Sequence, residues 1–581
     1  MKPFSHNYFL GYVNEVSPQY IKIHFPSSVL LSKFHFEGVN YTGGNVGNFV
    51  VIEGEEYGFL ARIIELNLPD SERKGISEKA IEHNDSEFHP SGKAELLLSF
   101  SVFNPEKVEK TVSKYPSIGA KVYSCSDEQI GEYVKKFGKK DDKNEPYAEI
   151  GKLTSNDADC NISLNSLFGR HCAVVGTTGG GKSWTVSKLI ESLTTETNNK
   201  VILIDATGEY SNICSAENSV GIGNGDCIFP YSELTIDELY FLLKPSSKVQ
   251  VPKLMEAIRS LKIVRLLKGV NQLTATLPDK TQVSIQIDNG ILKKSKQHKR
   301  PYEEFYYKNY LSIEDKKCNF IFSNLAKQIT QECIWDTDRL DINKWGDRNE
   351  TDLSNCISLI SRIGNLMNSP EYNNVFDFAN QNSANKKIIT TIIDEFVEKG
   401  SGVLRLDFSR VDYDFQVREV LVNSIGKKLL VEARNGKFKE SPIIIFIDEA
   451  HQFLNKTIKD EYFDAKPLDS FEIISKESRK YGLFLCLATQ MPRDIPIGTL
   501  SQMGTFIVHR LINEQDKKSI ENAASSANKS ALAFLPILGE GEALLVGVDF
   551  PMPLLIKIGE PSKKPESNTP RLNNKLEKKE H

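Results

Sequence analysis

Alternation of apolar and other side chains with the period of a strand opens the chain. In Tyr20-Ile21-Lys22-Ile23-His24-Phe25, Ile21, Ile23 and Phe25 fall on one face, the pattern of a half-buried strand. Short apolar runs at 49–52, 58–64, 95–100 and 121–123 follow, separated by glycines and polar turns. Several short strands in such a length predict a small β-barrel over residues 1–145. The polar segment from Asp70 to Lys93 reads as a loop. The charged stretch from Lys135 to Glu145 reads as a linker.

From residue 146 the pattern changes to apolar runs with no polar face, alternating with amphipathic ones. Cys172-Ala173-Val174-Val175 is followed by Val186, Leu189, Ile190 and Leu193 at helical spacing. Val201-Ile202-Leu203-Ile204 ends in Asp205. Strand signals resume at 402–408, a helix-like stretch covers 416–434, and Ile443-Ile444-Ile445-Phe446-Ile447 ends in Asp448 and Glu449. Further strands are expected at 483–488, 506–508 and 543–546. Strands alternating with helices predict an α/β core around a parallel sheet, in two parts, 146–230 and 396–560. Between them, 231–395 reads as a mostly helical insertion. Thr235-Ile236-Asp237-Glu238 is a possible capping box there, and Leu254, Ile258 and Leu261 keep helical spacing, as does the run from Cys356 to Met367. Residues 561–581 are polar and expected to be disordered.

The strand–helix junction after Val175 carries the chemistry. Gly176-Thr177-Thr178-Gly179-Gly180-Gly181-Lys182-Ser183 fits G-x-x-x-x-G-K-[ST] at every fixed position, between a predicted strand and a predicted helix. Glycines let the backbone curl its N–H groups toward phosphate oxygens, and the helix N-terminus adds positive potential. Gly176, Thr177, Thr178, Gly179, Gly180, Gly181, Lys182, Ser183 and the following Trp184 are the expected nucleotide-binding set. Lys182 can reach the β- and γ-phosphates, and the Ser183 hydroxyl can ligate Mg²⁺. Asp448, at a strand's C-terminal end, is the expected Mg²⁺ partner through water. Glu449 is the expected base for the attacking water. Gln490, ending the run Ala488-Thr489-Gln490, can sense the γ-phosphate.

Composition narrows the classes. With 581 residues a full core can be buried without staples, and nine scattered cysteines favour reduced thiols in a cytoplasm. No apolar run reaches the length of a membrane helix and no secretory leader is read at the start. A formal net charge of −5 does not announce nucleic acid, so any DNA contact rests on local patches. Lys293-Lys294-Ser295-Lys296-Gln297-His298-Lys299-Arg300 is such a run, open to two readings: a phosphate contact or a solvated loop. Asp448-Glu449-Ala450-His451 spells the name of a helicase class, but those enzymes need two tandem motor domains and a Ser-Ala-Thr motif. A Leu-Ser-Gly-Gly-Gln signature, which would mark a transporter ATPase, is also missing.

Five stretches together resemble the HerA-type hexameric ATPases, relatives of the FtsK DNA pumps. They are residues 167–183, Asp205-Ala206-Thr207-Gly208-Glu209-Tyr210, Ile447 to Leu454, Glu477-Ser478-Arg479-Lys480-Tyr481-Gly482 running into Ala488-Thr489-Gln490, and Gly539-Glu540-Gly541-Glu542-Ala543. Tyr115-Pro116-Ser117-Ile118-Gly119 resembles part of the family's N-terminal HAS barrel. The resemblance implies a RecA-like P-loop core, a homohexamer with ATP sites between subunits, and double-stranded DNA in the central channel. It nominates Arg170 and Arg479 as cations near the γ-phosphate, at least one supplied by the neighbour. From the residues alone, Arg170 also reads as a surface residue and Arg479 as the basic end of a helix. The family often has His where Thr207 stands, which leaves that position without a role. Lys456, Lys459 and Lys466, in a stretch after Glu449, are DNA-contact candidates.

Two classes of function follow from the resemblance. One is an ATP-driven translocase working with a separate effector in DNA processing or defence against phage. The other is a nucleotide-regulated scaffold that assembles an effector, a nuclease or a sirtuin-type NAD-degrading enzyme, without translocation. In both, the N-terminal barrel is the expected dock for the partner. A monomeric small-molecule kinase is disfavoured by the additional domains.

Overall fold

The computed structural model describes residues 4–566, except 19, 37–38, 42, 71–87, 104–107, 110–113, 127–129, 131–144, 155–157, 225–226, 381–385, 413–415, 455–467, 525–528 and 551. Most of the Asp70–Lys93 loop and nearly all of the Lys135–Glu145 linker lie outside the described residues, as do Lys456, Lys459 and Lys466.

The first unit is a closed six-stranded antiparallel barrel. Its strands are β1 (Phe9–Val16), β2 (Tyr20–His24), β3 (Phe49–Ile52), β4 (Tyr57–Asn67), β5 (Ser91–Ser101) and β6 (Lys121–Ser124). The order is β2-β1-β6-β3-β4-β5, and β5 returns to β2 through the pairs Ile21↔Ala94 and Ile23↔Gly92. Alternation in β2 puts Ile21 and Ile23 inside and leaves Lys22 and His24 out. All of β3 is buried, because its two faces have different partners. Val50 and Ile52 fill the barrel, whereas Phe49 and Val51 join a cluster with Ile150, Leu153 and Cys160 of the second unit. An unbroken apolar run thus marks the strand shared by two cores.

That second unit is built on an 11-stranded sheet. Its strands are β7 (Tyr147–Leu153), β8 (Asp159–Ser163), β9 (Cys172–Val175), β10 (Lys200–Asp205), β11 (Ser219–Gly221), β12 (Val403–Asp407), β13 (Ile443–Ile447), β14 (Leu483–Thr489), β15 (Thr505–Val508), β16 (Glu542–Gly547) and β17 (Leu554–Ile558). The order is β8-β7-β17-β16-β15-β9-β14-β13-β10-β12-β11. From β15 to β11 neighbouring strands are parallel; from β15 to β8 they are antiparallel. Apart from the edge strand β11, the parallel strands are buried on both faces, as their continuous apolar runs require. β14 lies between β9 and β13, with Val175 opposite Thr489 and Ile447 opposite Leu487. The ends of these strands therefore meet along one edge. Among the described residues no helix is long and apolar enough to cross a membrane.

The segment between β11 and β12 departs from the helical reading in one respect. It holds α2 (Gln250–Leu266), α3 (Arg300–Lys308) and α4 (Glu350–Asn368), named here after α1 (Lys182–Glu196) of the core, together with shorter helices. Gln272–Thr276, Gln282–Asp288 and Ile291–Leu292 form a small antiparallel sheet. Leu273, Ala275, Ile285 and Ile287 are its buried alternate positions, a period of two inside a region read for a period of 3.6. The basic run at 293–300 is largely loop, with most of its cations paired within the chain. Lys294 is buried, its Nζ 2.8 Å from Glu332 Oε2 and 4.0 Å from the centre of the Tyr302 ring. Lys296 pairs with Asp347 at 2.9 Å, Lys299 with Asp336 at 3.7 Å and Arg300 with Glu304 at 2.6 Å. Residues 561–566 correct the expected disorder at the start of the tail. Ser562 N–H donates to Glu191 on α1 at 2.8 Å, and Glu566 N–H donates to the Glu209 carbonyl at 2.7 Å. A polar segment stays ordered where the folded core offers partners to its backbone.

The capping box at Thr235 is formed, and it ties the helical segment to the core. Glu238 is fully buried. Its carboxylate accepts from Thr235 N–H at 2.8 Å and from Asn423 Nδ2 at 2.7 Å, and it lies 3.2 Å from Lys427 Nζ. Asn423 and Lys427 belong to α5 (Val417–Arg434) of the core. Glu238→Ala is expected to cost about 2–3 kcal/mol, since it uncaps the helix and strands buried donors. Glu233→Ala, removing a solvent-facing pair with Lys317, is expected to cost under about 1 kcal/mol. Urea midpoints of the two variants against wild type check the difference.

Candidate nucleotide site

The loop between β9 and α1 has the backbone that its glycines allow. Gly179 and Gly181 stand at φ 73° and 106°, where side-chain-bearing residues are strained. A Cβ at Gly179 would point into open space, and one at Gly181 would meet Gly541 Cα at 3.1 Å. The loop is held from below by His509, just beyond β15. Its Nδ1–H donates to the Glu542 carbonyl at 2.9 Å, so its Nε2 accepts the Thr185 hydroxyl at 2.8 Å. A Cβ at Gly176 would approach the His509 Cβ to 2.5 Å. Gly176 therefore serves close packing, and His509 is a support that motif reading misses, because its ring acts only once the sheet has formed. Thr177 N–H donates to the Arg510 carbonyl at 3.2 Å.

Around the loop the structure brings Lys182, Ser183, Asp448, Glu449 and Gln490 together. Lys182 Nζ is 3.5 Å from Glu449 Oε1, and the Gln490 Nε2 amide donates to that same oxygen. The Thr178 hydroxyl donates to Gln490 Oε1 at 2.5 Å. Gln490 thus bridges the loop and Glu449. Glu449 sits at φ 45°, a left-handed conformation that a side chain makes costly. Its Oε2 is buried, makes no hydrogen bond and lies 3.3 Å from His451 Nδ1. An acceptor held dry and unfilled at a strained position suits a group that must receive a proton from a water.

Asp448 is buried beside Glu449. Burial pushes its carboxyl well above the usual range; the Glu449 charge adds to this, Lys182 opposes it, and Asp205 and Glu209 contribute further. Glu209 carries a contact with no assigned role in the sequence reading: the Ser183 hydroxyl donates to its Oε2 at 2.8 Å. Asp205 builds the turn that puts it there. Its carboxylate accepts Gly208 N–H at 2.8 Å, Tyr210 N–H at 3.2 Å and Arg405 Nε at 2.7 Å. The stretch from Asp205 to Tyr210 was one of those carrying the family resemblance, so the signal was present without its chemistry. Trp184 lies in the first turn of α1 with Lys564 Nζ 5.6 Å from its ring centre. Among the described residues no group of three or more His, Cys, Asp or Glu could hold a metal ion by itself. The oxygens of Ser183, Asp448 and Glu209, crowded with negative charge, fit a hard cation arriving with phosphate.

Arg170 and Arg479 are not brought to this loop within the chain. Both stand at the opposite ends of their strands: Arg170 two residues before β9, Arg479 four before β14. At about 3.3 Å per residue, the four residues of β9 alone separate Arg170 from Gly176 by roughly 13 Å or more. The two arginines neighbour each other instead. Arg479 Nε donates to the Gly169 carbonyl at 3.0 Å, and Arg170 Nε pairs with Asp549 at 3.0 Å. The intervening His171 is buried, with its Nδ1 accepting Leu485 N–H at 3.0 Å.

Sheet order, glycine loop and paired acids define a P-loop ATPase. Two family models match the chain, Helicase HerA, central domain, over residues 148–397 and Helicase HerA-like C-terminal over 431–557. The chain belongs to the HerA family of helicase ATPases and hydrolyses ATP. The probable helicase MJ1565 of Methanocaldococcus jannaschii is 22% identical over 542 residues, covering 87% of this chain and 88% of the relative. The DNA double-strand break repair helicase HerA of Pyrococcus furiosus is 25% identical over 424 residues, covering 71% and 69%. VirB4 of Thermoanaerobacter pseudethanolicus gives a TM-score of 0.41 at 13% identity over 72% of this chain and 97% of that one, a likeness too loose to carry any argument.

His509 and His171 make stability depend on pH. Burial lowers both to about 4 from 6.5. Below pH 6.5 the unfolded chain takes up protons that the folded chain refuses. Stability is full above pH 6.5 and falls as pH drops toward 4, by about 3 kcal/mol for each ring at the low end. The thermal midpoint is expected to drop between pH 7.5 and 4.5, and His509→Gln to shrink that drop. An unchanged drop in the variant would remove His509 from this account.

Proposed function

We propose that the chain works as a homohexameric ring that hydrolyses ATP with Mg²⁺, translocates double-stranded DNA, and delivers it to a separate effector docked on the N-terminal barrel. The observation that carries this reading is the polarity of the sheet. The nucleotide loop occupies one end and Arg170 and Arg479 the other. An arginine so placed serves the nucleotide of a neighbouring copy, and a head-to-tail contact of this kind closes into rings. One of the named relatives is a DNA double-strand break repair helicase, which favours DNA-end processing as the setting and a nuclease as effector. Defence against phage, with a nuclease or an NAD-degrading enzyme as effector, is the second setting.

In this reading Lys182 and the loop N–H groups bind the phosphates, Glu449 takes a proton from the attacking water, and Gln490 aligns Glu449 against the loop. Ser183 and Asp448, the latter through water, would hold Mg²⁺, which supplies charge neutralisation at the β- and γ-phosphates. Glu209 accepts the Ser183 hydroxyl, a contact Ser183 would give up on turning its oxygen to the ion.

Lys182→Ala is expected to weaken both ATP binding and hydrolysis, and Glu449→Ala to abolish hydrolysis while ATP still binds; filter binding and phosphate release separate the two. Wild-type turnover in Glu449→Ala would end its assignment as the base. Arg479→Ala is expected to lower turnover by about 10³- to 10⁵-fold, as arginine fingers do. Mixing Arg479→Ala with Glu449→Ala subunits should restore part of the activity, since some interfaces regain both groups. Mixed rings as inactive as either parent, with exchange verified, would refute action across the boundary. ATP-dependent displacement of a triplex strand tests translocation; a ring that hydrolyses ATP, displaces nothing and still activates its effector would instead be a scaffold.

A further inference from the structure

Barrel and core enclose a cavity of about 310 Å³, remote in sequence from the nucleotide loop. Asn48, Phe49 and Arg62 line it from the barrel, and Thr154, Phe534 and Leu555 from the core. Arg62, on β4, is 1% exposed. Its Nη2 donates to Glu95 Oε2 at 3.2 Å, but among the described residues Nε and Nη1 have no hydrogen-bond partner. Those two atoms carry three of the five N–H donors of a guanidinium. The Phe534 ring centre lies 5.4 Å from its Cζ.

Such an arrangement is costly as it stands. Unmade bonds to a buried charged donor cost more than an ordinary hydrogen bond contributes. One carboxylate contact at 3.2 Å compensates a desolvated cation poorly. Lys33 also lines the cavity and adds a second positive charge. Water in the cavity would bring acceptors but no charge. An oxyanion brings both acceptors and charge, and guanidinium bonds to such groups are the strong ones.

We propose that this seam between barrel and core binds a small phosphate or carboxylate compound through Arg62, clamping the barrel to the motor. The cavity wall leads directly to the nucleotide loop. Phe534 precedes Leu535, whose carbonyl accepts Leu511 N–H at 3.3 Å, and the adjacent Arg510 carbonyl accepts Thr177 N–H at 3.2 Å. Occupancy of the seam therefore bears on the loop that holds ATP.

The test uses the full chain with an excess of a non-hydrolysable ATP analogue and Mg²⁺, which fills all the phosphate positions of the nucleotide loop so that added anion does not act there. Inorganic phosphate and malonate are titrated separately and the thermal midpoint is read. At least one of them is expected to raise the wild-type midpoint by about 2 °C or more at saturation, and Arg62→Gln is expected to abolish the rise. Val46→Trp, which narrows the half-exposed mouth and leaves the Arg62–Glu95 pair intact, is expected to abolish it too and decides the matter if Arg62→Gln does not fold. A rise with phosphate alone identifies a phosphate compound, and a rise with malonate a carboxylate one. No rise in wild type with either anion, or an equal rise in wild type and Val46→Trp, overturns the proposal.

Discussion

Negative charge at the ends of two neighbouring parallel strands is the constraint from which the site follows. Asp448 and Glu449 end β13, and Asp205 ends β10 and turns Glu209 back toward Ser183. Arg405 neutralises Asp205 and Lys182 faces Glu449. Among the described residues no ion pair is made by Asp448, and burial beside Glu449 drives it toward its protonated form against the opposing charge of Lys182. A site left this short of positive charge favours a ligand that brings a cation with it. The rigid strands that carry the acids prevent them from relaxing apart, so the imbalance is kept ready for the ligand.

The strands of the α/β core were legible because apolar runs without a polar face have few other uses in a chain of this composition. The glycine loop was legible because strand, loop and helix follow one another directly. Other parts depend on contacts between distant residues. His509 lies more than three hundred positions from Thr185, and no local pattern marks a histidine that will end up under a loop. Glu209 was visible as part of a family-like stretch, but its hydrogen bond to Ser183 needed the turn built by Asp205. The hairpin beginning at Gln272 was lost inside a helical region because a five-residue alternation is short against its surroundings. Lys294 shows the same limit for charge. Its sequence neighbours are basic, yet Glu332, Tyr302 and Trp345 decide its environment.

The start of the C-terminal tail joins this picture. Residues 561–566 cross α1 and the turn at Glu209, so a segment with no hydrophobic signal is held by backbone hydrogen bonds to an acid beside the nucleotide loop. Order there reflects the surface it crosses and not its own composition.

The place of β14 has a mechanical consequence. Ladder hydrogen bonds hold it to β9 on one side and to β13 on the other, in register with both. The strand cannot slide without breaking two ladders at once, so Gln490 stands at a fixed post between Thr178 and Glu449. Displacement has to begin where the ladders stop, at Met491, whose N–H is held by the Thr489 hydroxyl at 3.1 Å. The short turn beyond it carries Arg493, bound to Asp516 on the helix Glu514–Ala523 at 3.2 Å. The end of β14 and the helix Glu514–Ala523 are thus tied to each other through one short turn and one ion pair.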